Sequence, residues 1–454
     1  MSVAGDGRLS GKERQALLAR VAKNKGAAPA RERVAPPPPA GATDFTTLPG
    51  FREMQTQRSF AEVLGLENPF FQVHEERAGA ETRIGNRTYL NFASYDYLGL
   101  NGHPEVAAAA KAAIDRYGTS TSASRLVAGE RPVHRDLERK LAAVYSADDC
   151  VVMVSGHATN VGVIGQLVGA RDVVIYDELI HNSVVVGAQL SGATRRSFAH
   201  NDLDALETLL ATSRRQHSRA LVVVEGLYSM DGDFPDLQRL IDIKTRHGAW
   251  LMVDDAHGLG VLGHLGHGLA EHAGIDPRQV DIWMGTLSKT LAGAGGYISG
   301  PSPLIDFIRT TVGAFVFSVG LSPPVAAAAL AALEIMDREP DRVRRLHENG
   351  AAFLAAARSH GLDVGTSAGL AITPVIVGES LKAAMLSNRL SQRGINVMPI
   401  LYPAVPERLA RLRFFVTADH TREQVEGAAL ATSEEVAGLL GTADVLQQAA
   451  LSLG

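Results

Sequence analysis

The sequence predicts an α/β fold with a mostly parallel central sheet and a smaller α+β domain towards the C-terminus. Short apolar runs rich in β-branched residues alternate with helical stretches, which is typical of parallel strands buried on both faces. A polar or glycine-rich turn follows each run. In such folds ligands bind beyond the carboxyl ends of the strands, so the residues after each run are candidates for chemistry. The runs predicted as strands are 151–154, 173–176, 220–225, 250–254 and 282–284.

The smaller domain is predicted from a change of pattern after Pro323. An alanine-rich stretch, 325–336, predicts a long helix, and helical sequence rich in arginine and glutamate follows it. Short apolar runs come next, which is typical of strands. The predicted strands of this domain are 371–377, 397–400 and 413–416.

The N-terminal 44 residues differ in composition from the rest of the chain. They contain a short helical pattern and then a proline-rich linker, which cannot bury a core. Two interpretations stay open, a helix that docks another protein and a frayed tail. The predicted organisation is therefore 1–44, the helix and linker; 45–94, an N-terminal segment of the catalytic fold; 95–325, the large domain with the candidate chemistry; 326–440, the small domain; and 441–454, a tail.

Composition limits the classes of function. The chain has 454 residues, 46% hydrophobic, and a net charge of −5, so neither nucleic acid nor a membrane surface is expected as a partner. The polar N-terminus shows no secretory signal, and no apolar run approaches the ~20 residues needed to span a bilayer. The expected location is the cytoplasm. The single cysteine, Cys150, excludes an intramolecular disulfide and is predicted to be a buried strand residue; no metal site is predicted.

Lys289 lies among small residues in the segment 285–290 (GTLSKT), directly after an apolar run. Small neighbours leave room for a ring and let backbone amides or hydroxyl groups reach phosphate oxygens. Burial there would lower the pKa of the lysine and favour the neutral amine that Schiff-base chemistry needs. Taken alone, the motif is more typical of a surface lysine.

Asp254 and His257 stand at the end of the run 250–254 and three residues after it. A carboxylate at a strand end can pair with a pyridinium nitrogen and keep it protonated, which makes the ring an electron sink. The imidazole could bond the phenolic oxygen of the same ring. The structural alternatives are a helix N-cap for Asp254 and a core histidine for His257.

Three further strand ends carry polar residues. Ser155, Gly156 and His157 follow the first run and start a helix, whose exposed amides would bind phosphate; the alternative is an ordinary capped turn. His181 follows the second run and could stack on a cofactor ring. Glu225 ends the third run. Polar groups at so many strand ends of one sheet are hard to explain as independent structural features.

With these motifs in place, the sequence resembles the α-oxoamine synthases, a branch of the fold-type I enzymes that use pyridoxal 5′-phosphate (PLP). The resemblance covers residues 45–440. Its most specific motifs are 91–100 (NFASYDYLGL), 225–233 (EGLYSMDGD), 254–263 (DDAHGLGVLG) and 285–290 (GTLSKT).

The resemblance implies a fold-type I transferase in which PLP forms a Schiff base with Lys289. Asp254 would pair with the pyridine nitrogen, His257 would contact the phenolic oxygen, and His181 would stack on the ring. The other implied cofactor contacts are Ser155, Gly156, His157 and Thr286 at the phosphate, Glu225 and Ser229 in the pocket wall, and Ser318 from the second subunit of a homodimer.

The implied reaction joins an amino acid to the acyl group of a thioester and, with loss of CO₂, gives an α-amino ketone. Arg413 would hold the carboxylate of the amino acid, because a guanidinium binds carboxylates in a planar fork. Lys289 would act as covalent anchor and as general base. The alternatives are another fold-type I activity such as an aminotransferase, and a non-catalytic partner subunit, which would lack the lysine.

Two positions depart from much of the family. Tyr95, assigned to substrate binding, stands where many members have an asparagine. A tyrosine at this position is typical of the branch that resembles serine palmitoyltransferase. Leu401 stands where 8-amino-7-oxononanoate synthases place an arginine. Both positions argue against a role in biotin synthesis. Residues 50–75 resemble members associated with polyketide synthases, which favours an acyl-carrier-protein donor over coenzyme A.

Overall fold

The computed structural model describes residues 43–63 and 65–439. Contacts divide the chain into two units, Met1–Glu62 and Val63–Gly454. The predicted helix and linker of the N-terminus, up to residue 42, and the predicted tail lie outside the described residues.

The described part of the first unit is helical. A short 3-10 helix, Phe45–Thr47, is capped by Asp44, whose Oδ1 accepts a hydrogen bond from the N–H of Thr46 at 2.9 Å. It precedes α1 (Pro49–Val63).

The strands of the second unit, in chain order, are β1 (Glu81–Ile84), β2 (Arg87–Asn91), β3 (Asp149–Met153), β4 (Val173–Asp177), β5 (Thr194–Phe198), β6 (Ala220–Glu225), β7 (Trp250–Asp254), β8 (Ile282–Thr286), β9 (Gly296–Gly300), β10 (Ile372–Gly378), β11 (Ile395–Asn396), β12 (Met398–Ile400) and β13 (Ala410–Phe415). The helices that follow α1 are α2 (Pro104–Tyr117), α3 (Pro132–Val144), α4 (Gly156–Leu167), α5 (Asn182–Leu190), α6 (Leu203–Ser213), α7 (Leu237–His247), α8 (Leu269–Ala273), α9 (Ser302–Thr311), α10 (Gly313–Val316), α11 (Pro323–Arg338), α12 (Asp341–Ser359), α13 (Ser380–Gln392) and α14 (Arg422–Ala437).

A seven-stranded sheet forms the centre of this unit, in the order β3-β9-β8-β7-β6-β4-β5. Only β9 runs antiparallel to its neighbours in this sheet; the other neighbouring strands pair in parallel. The predicted α/β fold with a mostly parallel central sheet is therefore confirmed.

The strands of this sheet are apolar because both faces are covered. All six residues of β6 are buried. Val222 and Val224 pack into one hydrophobic cluster, while Leu221 and Val223 pack into a second one. Since side chains alternate along a strand, these two clusters lie on opposite faces, and every position of the strand must be apolar. Cys150 in β3 is fully buried, as predicted.

Sequence analysis missed β5 and β9 and misplaced some strand ends. β5 is an edge strand whose Arg195 and Arg196 are exposed, so it lacks an apolar run. β9 begins at Gly296, in a glycine-rich stretch that suggests a turn. β3 begins at Asp149 and ends before Val154, and β8 continues two residues past the predicted end.

The C-terminal part contains the predicted helix and strands with shifted bounds. The helix, α11, is longer at both ends than predicted. β10, β13 and β12 form an antiparallel sheet. The predicted strand 397–400 corresponds to β12, which begins one residue later, while the separate short strand β11, which pairs with β2, was not predicted.

The hairpin of β1 and β2 completes this C-terminal part. β2 pairs in parallel with β11, with Leu90 opposite Ile395. Phe92, just after β2, packs edge-on against Phe414 with ring centroids 5.3 Å apart. The domain boundaries at 94 and 325 stay a prediction. Among the residues that the structure describes, no helix has the length and apolar character needed to cross a membrane.

Candidate active site

The candidate residues gather at the carboxyl edge of the central sheet. β6 ends at Glu225, β7 at Asp254 and β8 at Thr286. Glu225 and Asp254 are directly opposed in the register of β6 and β7. The strand-end prediction is therefore correct for these residues, because parallel neighbours bring their carboxyl ends to one edge.

Lys289 lies in the tight connection between β8 and β9. The N–H of Leu287 donates to the carbonyl of Gly295 at 3.0 Å, and the N–H of Ala292 donates to the carbonyl of Lys289 at 3.0 Å. Burial lowers the pKa of the lysine to about 8, although the charges of Asp254 and Glu225 act in the opposite direction. An appreciable fraction of the amine is therefore neutral near physiological pH, as a Schiff-base lysine requires.

Asp254 is buried and both of its carboxylate oxygens are held. Oδ2 accepts a hydrogen bond from Asn160 Nδ2 at 2.8 Å, and Oδ1 accepts one from the N–H of Ala256 at 3.1 Å. No helix begins after it until Leu269, so Asp254 is not a helix N-cap. The two hydrogen bonds fix the orientation of the Asp254 side chain at the carboxyl edge of the sheet.

His257 is buried beside Tyr97, whose Oη lies 2.6 Å from His257 Nδ1. Burial, with smaller effects of Lys289 and Arg413, lowers the pKa of His257 well below its ordinary value, so the ring is neutral. Burial also raises the pKa of Tyr97 well above 10, so its hydroxyl stays protonated. If this hydroxyl donates to Nδ1, the imidazole proton resides on Nε2, which can then donate to a ring oxygen.

His181 caps α5 and is linked to Asp254 through two side chains. Its Nδ1 lies 2.6 Å from Ser183 Oγ, and Asn160 Nδ2 donates to the same Oγ at 3.0 Å. Burial lowers the pKa of His181, which keeps its ring neutral. The ring of His157 meets that of His181 edge-on with centroids 6.4 Å apart. Asn160 thus fixes the predicted stacking histidine and the predicted carboxylate relative to each other.

The predicted phosphate turn forms the start of α4. Ser155 is its N-cap, and its Oγ accepts a hydrogen bond from the N–H of Ala158 at 3.3 Å. The amides of Gly156 and His157 lie in the first turn, where backbone N–H groups have no intrahelical partner. Thr286 Oγ1 donates to the carbonyl of Gly295 at 2.8 Å, so its proton already has an acceptor within the chain. To donate to a phosphate oxygen, as predicted, the Thr286 hydroxyl must give up its hydrogen bond with Gly295.

Glu225 is a second buried carboxyl in the site. Burial and the charge of Asp254 raise its pKa to about 8, although it accepts a hydrogen bond from the N–H of Ser229 at 3.1 Å. Glu225 therefore keeps its proton to a higher pH than an ordinary carboxyl group.

Arg413 enters the site from β13. Its Nη1 donates to the carbonyl of Ser229 at 3.2 Å, and its guanidinium lies 4.6 Å from the ring centre of Phe415. Its Nε is buried without a hydrogen-bond partner among the described residues. Tyr95 packs edge-on against Phe415 at 4.9 Å, and 41% of its surface is exposed. A cavity of about 300 Å³, lined by Tyr95 and Lys289 among others, adjoins these groups.

Sequence patterns gave no role to three residues that support the site. Tyr97 lies inside the motif 91–100 and Asn160 follows the predicted phosphate turn, but no pattern assigns either residue a role; Ser183 gives no signal. Ser318 follows α10, between Phe317 and Val319, whose side chains are 89% and 48% exposed. Its predicted contact from a second subunit stays a prediction.

The residues present fit PLP. The lowered pKa of Lys289 supplies a neutral amine, and the held carboxylate of Asp254 suits a pyridinium nitrogen. A Cβ built on Gly156 would lie 3.0 Å from Thr286 Oγ1, so glycine lets this helix start lie close to the end of β8 without pressing on Thr286. The unpartnered Nε of Arg413 suits an anionic group of a substrate.

Most of the chain is similar to known proteins. Residues 87–431 match the family model for class I and II aminotransferases. The 8-amino-7-oxononanoate synthase of Symbiobacterium thermophilum is 41% identical over 401 residues, which cover 88% of this chain and 99% of that protein. The 4-hydroxy-2,2'-bipyrrole-5-methanol synthase PigH of a Serratia species is 38% identical over 76% of this chain and 52% of PigH.

Solved structures resemble most of this chain. Serine palmitoyltransferase of Sphingomonas wittichii superposes with a TM-score of 0.82 at 30% identity, covering 87% of this chain and 98% of that chain. Serine palmitoyltransferase from S. paucimobilis with bound PLP and myriocin gives a TM-score of 0.83 at 28% identity, with 87% and 100% covered.

Proposed function

Because the chain belongs to the class I and II aminotransferase family, and within it to the α-oxoamine synthases, we propose that Lys289, Asp254, His257 and His181 hold PLP for catalysis. The enzyme is a PLP-dependent acyltransferase that condenses an amino acid with an acyl thioester and releases CO₂. The observation that carries the residue assignment is the partly neutral amine of Lys289 at the sheet edge, beside the anchored carboxylate of Asp254.

The bonds changed in the reaction define what the residues must do. The α-carbon of the amino acid loses a proton and forms a bond to the acyl carbon, while the C–S bond of the thioester breaks and the thiol leaves. The same carbon then loses CO₂ and regains a proton. When bound, PLP supplies a protonated ring that accepts the electron pair left at the α-carbon. Asp254, held by Asn160 and the Ala256 amide, would keep the ring nitrogen protonated.

Lys289 would act as the base at the α-carbon, since its neutral Nζ can take the α-proton and return a proton later. His257 would donate from Nε2 to the phenolic oxygen, with Tyr97 on the other ring nitrogen. Arg413 would bind the substrate carboxylate through the guanidinium edge that includes its unpartnered Nε, beside Tyr95. Ser155, Gly156, His157 and Thr286 would face the phosphate, and Glu225 and Ser229 would line the pocket.

Cofactor capture should depend on pH through Lys289. The folded-state pKa is lowered from 10.5 to about 8, so the fraction of neutral amine rises as the pH rises through 8. The rate at which apo-protein takes up PLP is therefore expected to increase about tenfold between pH 7 and pH 9, in proportion to the neutral amine. Stopped-flow absorbance measures this rate. A flat profile across this range would contradict the lowered pKa.

We propose that the acyl donor is carried on an acyl carrier protein rather than on coenzyme A. The support is the resemblance of residues 50–75 to polyketide-synthase-associated members and the composition of residues 1–44. The test compares octanoyl-coenzyme A with the same acyl group on a carrier protein, using the full chain and a chain without residues 1–44. Deletion is expected to lower kcat/KM about tenfold or more for the carrier-bound donor alone. Equal loss on both donors, or no loss, would refute docking by this segment.

We also propose that the enzyme is a homodimer whose sites are shared, with Ser318 reaching the phosphate of the partner. Exposed apolar side chains around Ser318 support this proposal, since such a cluster is typical of a protein interface. Phe317 and Val319 are 89% and 48% exposed, and the nearby Leu126 and Val127 are 55% and 82% exposed. The cytoplasmic location stays a prediction.

A further inference from the structure

His200 lies between two carboxylates beside the site. It follows β5, and its Nδ1 is 3.0 Å from Asp177 Oδ1 while its Nε2 is 3.0 Å from Asp233 Oδ2. The side chain of Asp177 is fully buried, and those of His200 and Asp233 are 17% and 14% exposed. Burial alone would lower the pKa of His200, but its hydrogen bonds with both carboxylates raise it to about 10. The ring is therefore an imidazolium throughout the physiological range.

Asp233 closes the loop that follows β6. Its carbonyl accepts a hydrogen bond from the N–H of Tyr228 at 2.8 Å, so the loop folds back on itself. Thr366 Oγ1 from the C-terminal part donates to Asp233 Oδ2 at 2.7 Å. The carboxylate of Asp233 thus joins the end of the loop to His200 and to Thr366.

The same loop supplies the acceptors that orient the arginines of β13. Ser229 O accepts from Arg413 at 3.2 Å, and Met230 O accepts from the neighbouring Arg411 at 3.1 Å. A displaced loop would move these carbonyls and leave the guanidinium of Arg413 less well oriented. The other carboxylate, Asp177, accepts from the N–H of Leu179 at 2.8 Å and so shapes the turn that leads to His181.

We propose that His200 is a positioning residue that, by pairing with Asp177 and Asp233 together, fixes the loop that orients Arg413 and so sets the affinity for the amino-acid carboxylate. This inference rests on the proposed carboxylate-binding role of Arg413. His200 acts through the loop and touches neither substrate nor cofactor. Its removal leaves two buried carboxylates without their shared cation, and their repulsion displaces the loop.

The test measures steady-state kinetics of the PLP-loaded enzyme with glycine, alanine or serine, whichever reacts fastest. His200→Gln is expected to raise KM for the amino acid about tenfold, as for loss of a charge-assisted hydrogen bond, with kcat changed less than about threefold. Calorimetric titration with the same amino acid should show the same loss of affinity. The visible absorbance of the bound cofactor should be unchanged.

Two further variants keep the test decisive if His200→Gln does not fold. Asp233→Asn keeps the His200–Asp177 pair but weakens the contact between His200 and the loop, so it should raise KM in the same direction. Lys244→Gln is the matched control, because Lys244 pairs with Asp281 at 2.9 Å with similar burial at the opposite edge of the sheet. It should leave KM unchanged. Unchanged KM in folded His200→Gln or Asp233→Asn overturns the inference.

Arg413→Gln separates this inference from the function on which it rests. If Arg413→Gln raises KM for the amino acid while the His200 and Asp233 variants do not, the positioning role is wrong and the carboxylate role stands. If Arg413→Gln leaves KM unchanged, the carboxylate role and the inference are both overturned.

Discussion

Replacement of Lys289 by alanine is expected to lower kcat of the condensation by about 10³-fold or more, because it removes the covalent anchor and the general base together. The visible absorbance of the bound cofactor should change as well, since no amine remains at this position. Quantification of the α-amino ketone by mass spectrometry and an absorbance spectrum measure the two effects. PLP can still be retained through Asp254 and the phosphate turn, so loss of binding is expected to be partial.

Lys244→Ala is the matched control for this substitution. Lys244 is a partly buried lysine that pairs with Asp281 at the far edge of the central sheet. It should keep both the absorbance and the activity. Near-normal turnover in Lys289→Ala would show that another group is the base and would contradict the assignment.

Asp254→Asn is expected to lower kcat by about 10²- to 10³-fold, the range for removal of one preorganised electrostatic contact. The amide has nearly the shape of the carboxylate but cannot stabilise a protonated ring nitrogen, so the ring becomes a poor electron sink. Asn160 Nδ2 and the Ala256 amide would also lose their charged acceptor. Single-turnover kinetics with saturating amino acid isolate the step at the α-carbon.

The control for Asp254 is Asp281→Asn. Asp281 stands directly before β8, and its carboxylate accepts a hydrogen bond from the N–H of Leu251 at 2.8 Å. It therefore lies at the amino end of the strands, away from the site. This variant can lose stability but should keep kcat once folded. If Asp254→Asn retains more than about half of the wild-type kcat, the proposed pairing with the ring nitrogen is wrong.

The fold class and the core of the site could be predicted because both follow from local patterns. β6 and β7 have the predicted bounds, since strands covered on both faces must be apolar throughout and end where polar residues begin. The polar residue that ends β7 and the small-residue segment around the end of β8 then pointed to Asp254 and Lys289. The edge strand β5 carries no such pattern, because its side chains face water.

The supporting contacts could not be predicted because they join distant parts of the chain. Tyr97 and His257 are 160 residues apart, and Asn160 and Asp254 are 94 residues apart. In the sequence His200 is a lone histidine without a motif, although in the fold it links the end of β4 to the loop that follows β6. Such pairs depend on the order of strands in the sheet, which single-sequence patterns do not specify.

The position of the hairpin formed by β1 and β2 could not be predicted for the same reason. Its pairing with β11 joins residues about 300 positions apart, such as Asn91 and Asn396, whose side chains are hydrogen-bonded at 2.9 Å and 305 residues apart. The predicted organisation assigns this hairpin to the N-terminal segment 45–94, whereas its strand β2 pairs with β11 near the C-terminal end of the fold.

A balance of products tests the central claim most directly. The PLP-loaded enzyme is mixed with glycine, alanine or serine and an octanoyl thioester, and CO₂, free thiol and α-amino ketone are quantified together. The proposed function predicts the three products in equal amounts, and none of them with Lys289→Ala. Formation of a 2-oxo acid and pyridoxamine phosphate without CO₂ or thiol would show an aminotransferase and contradict the account.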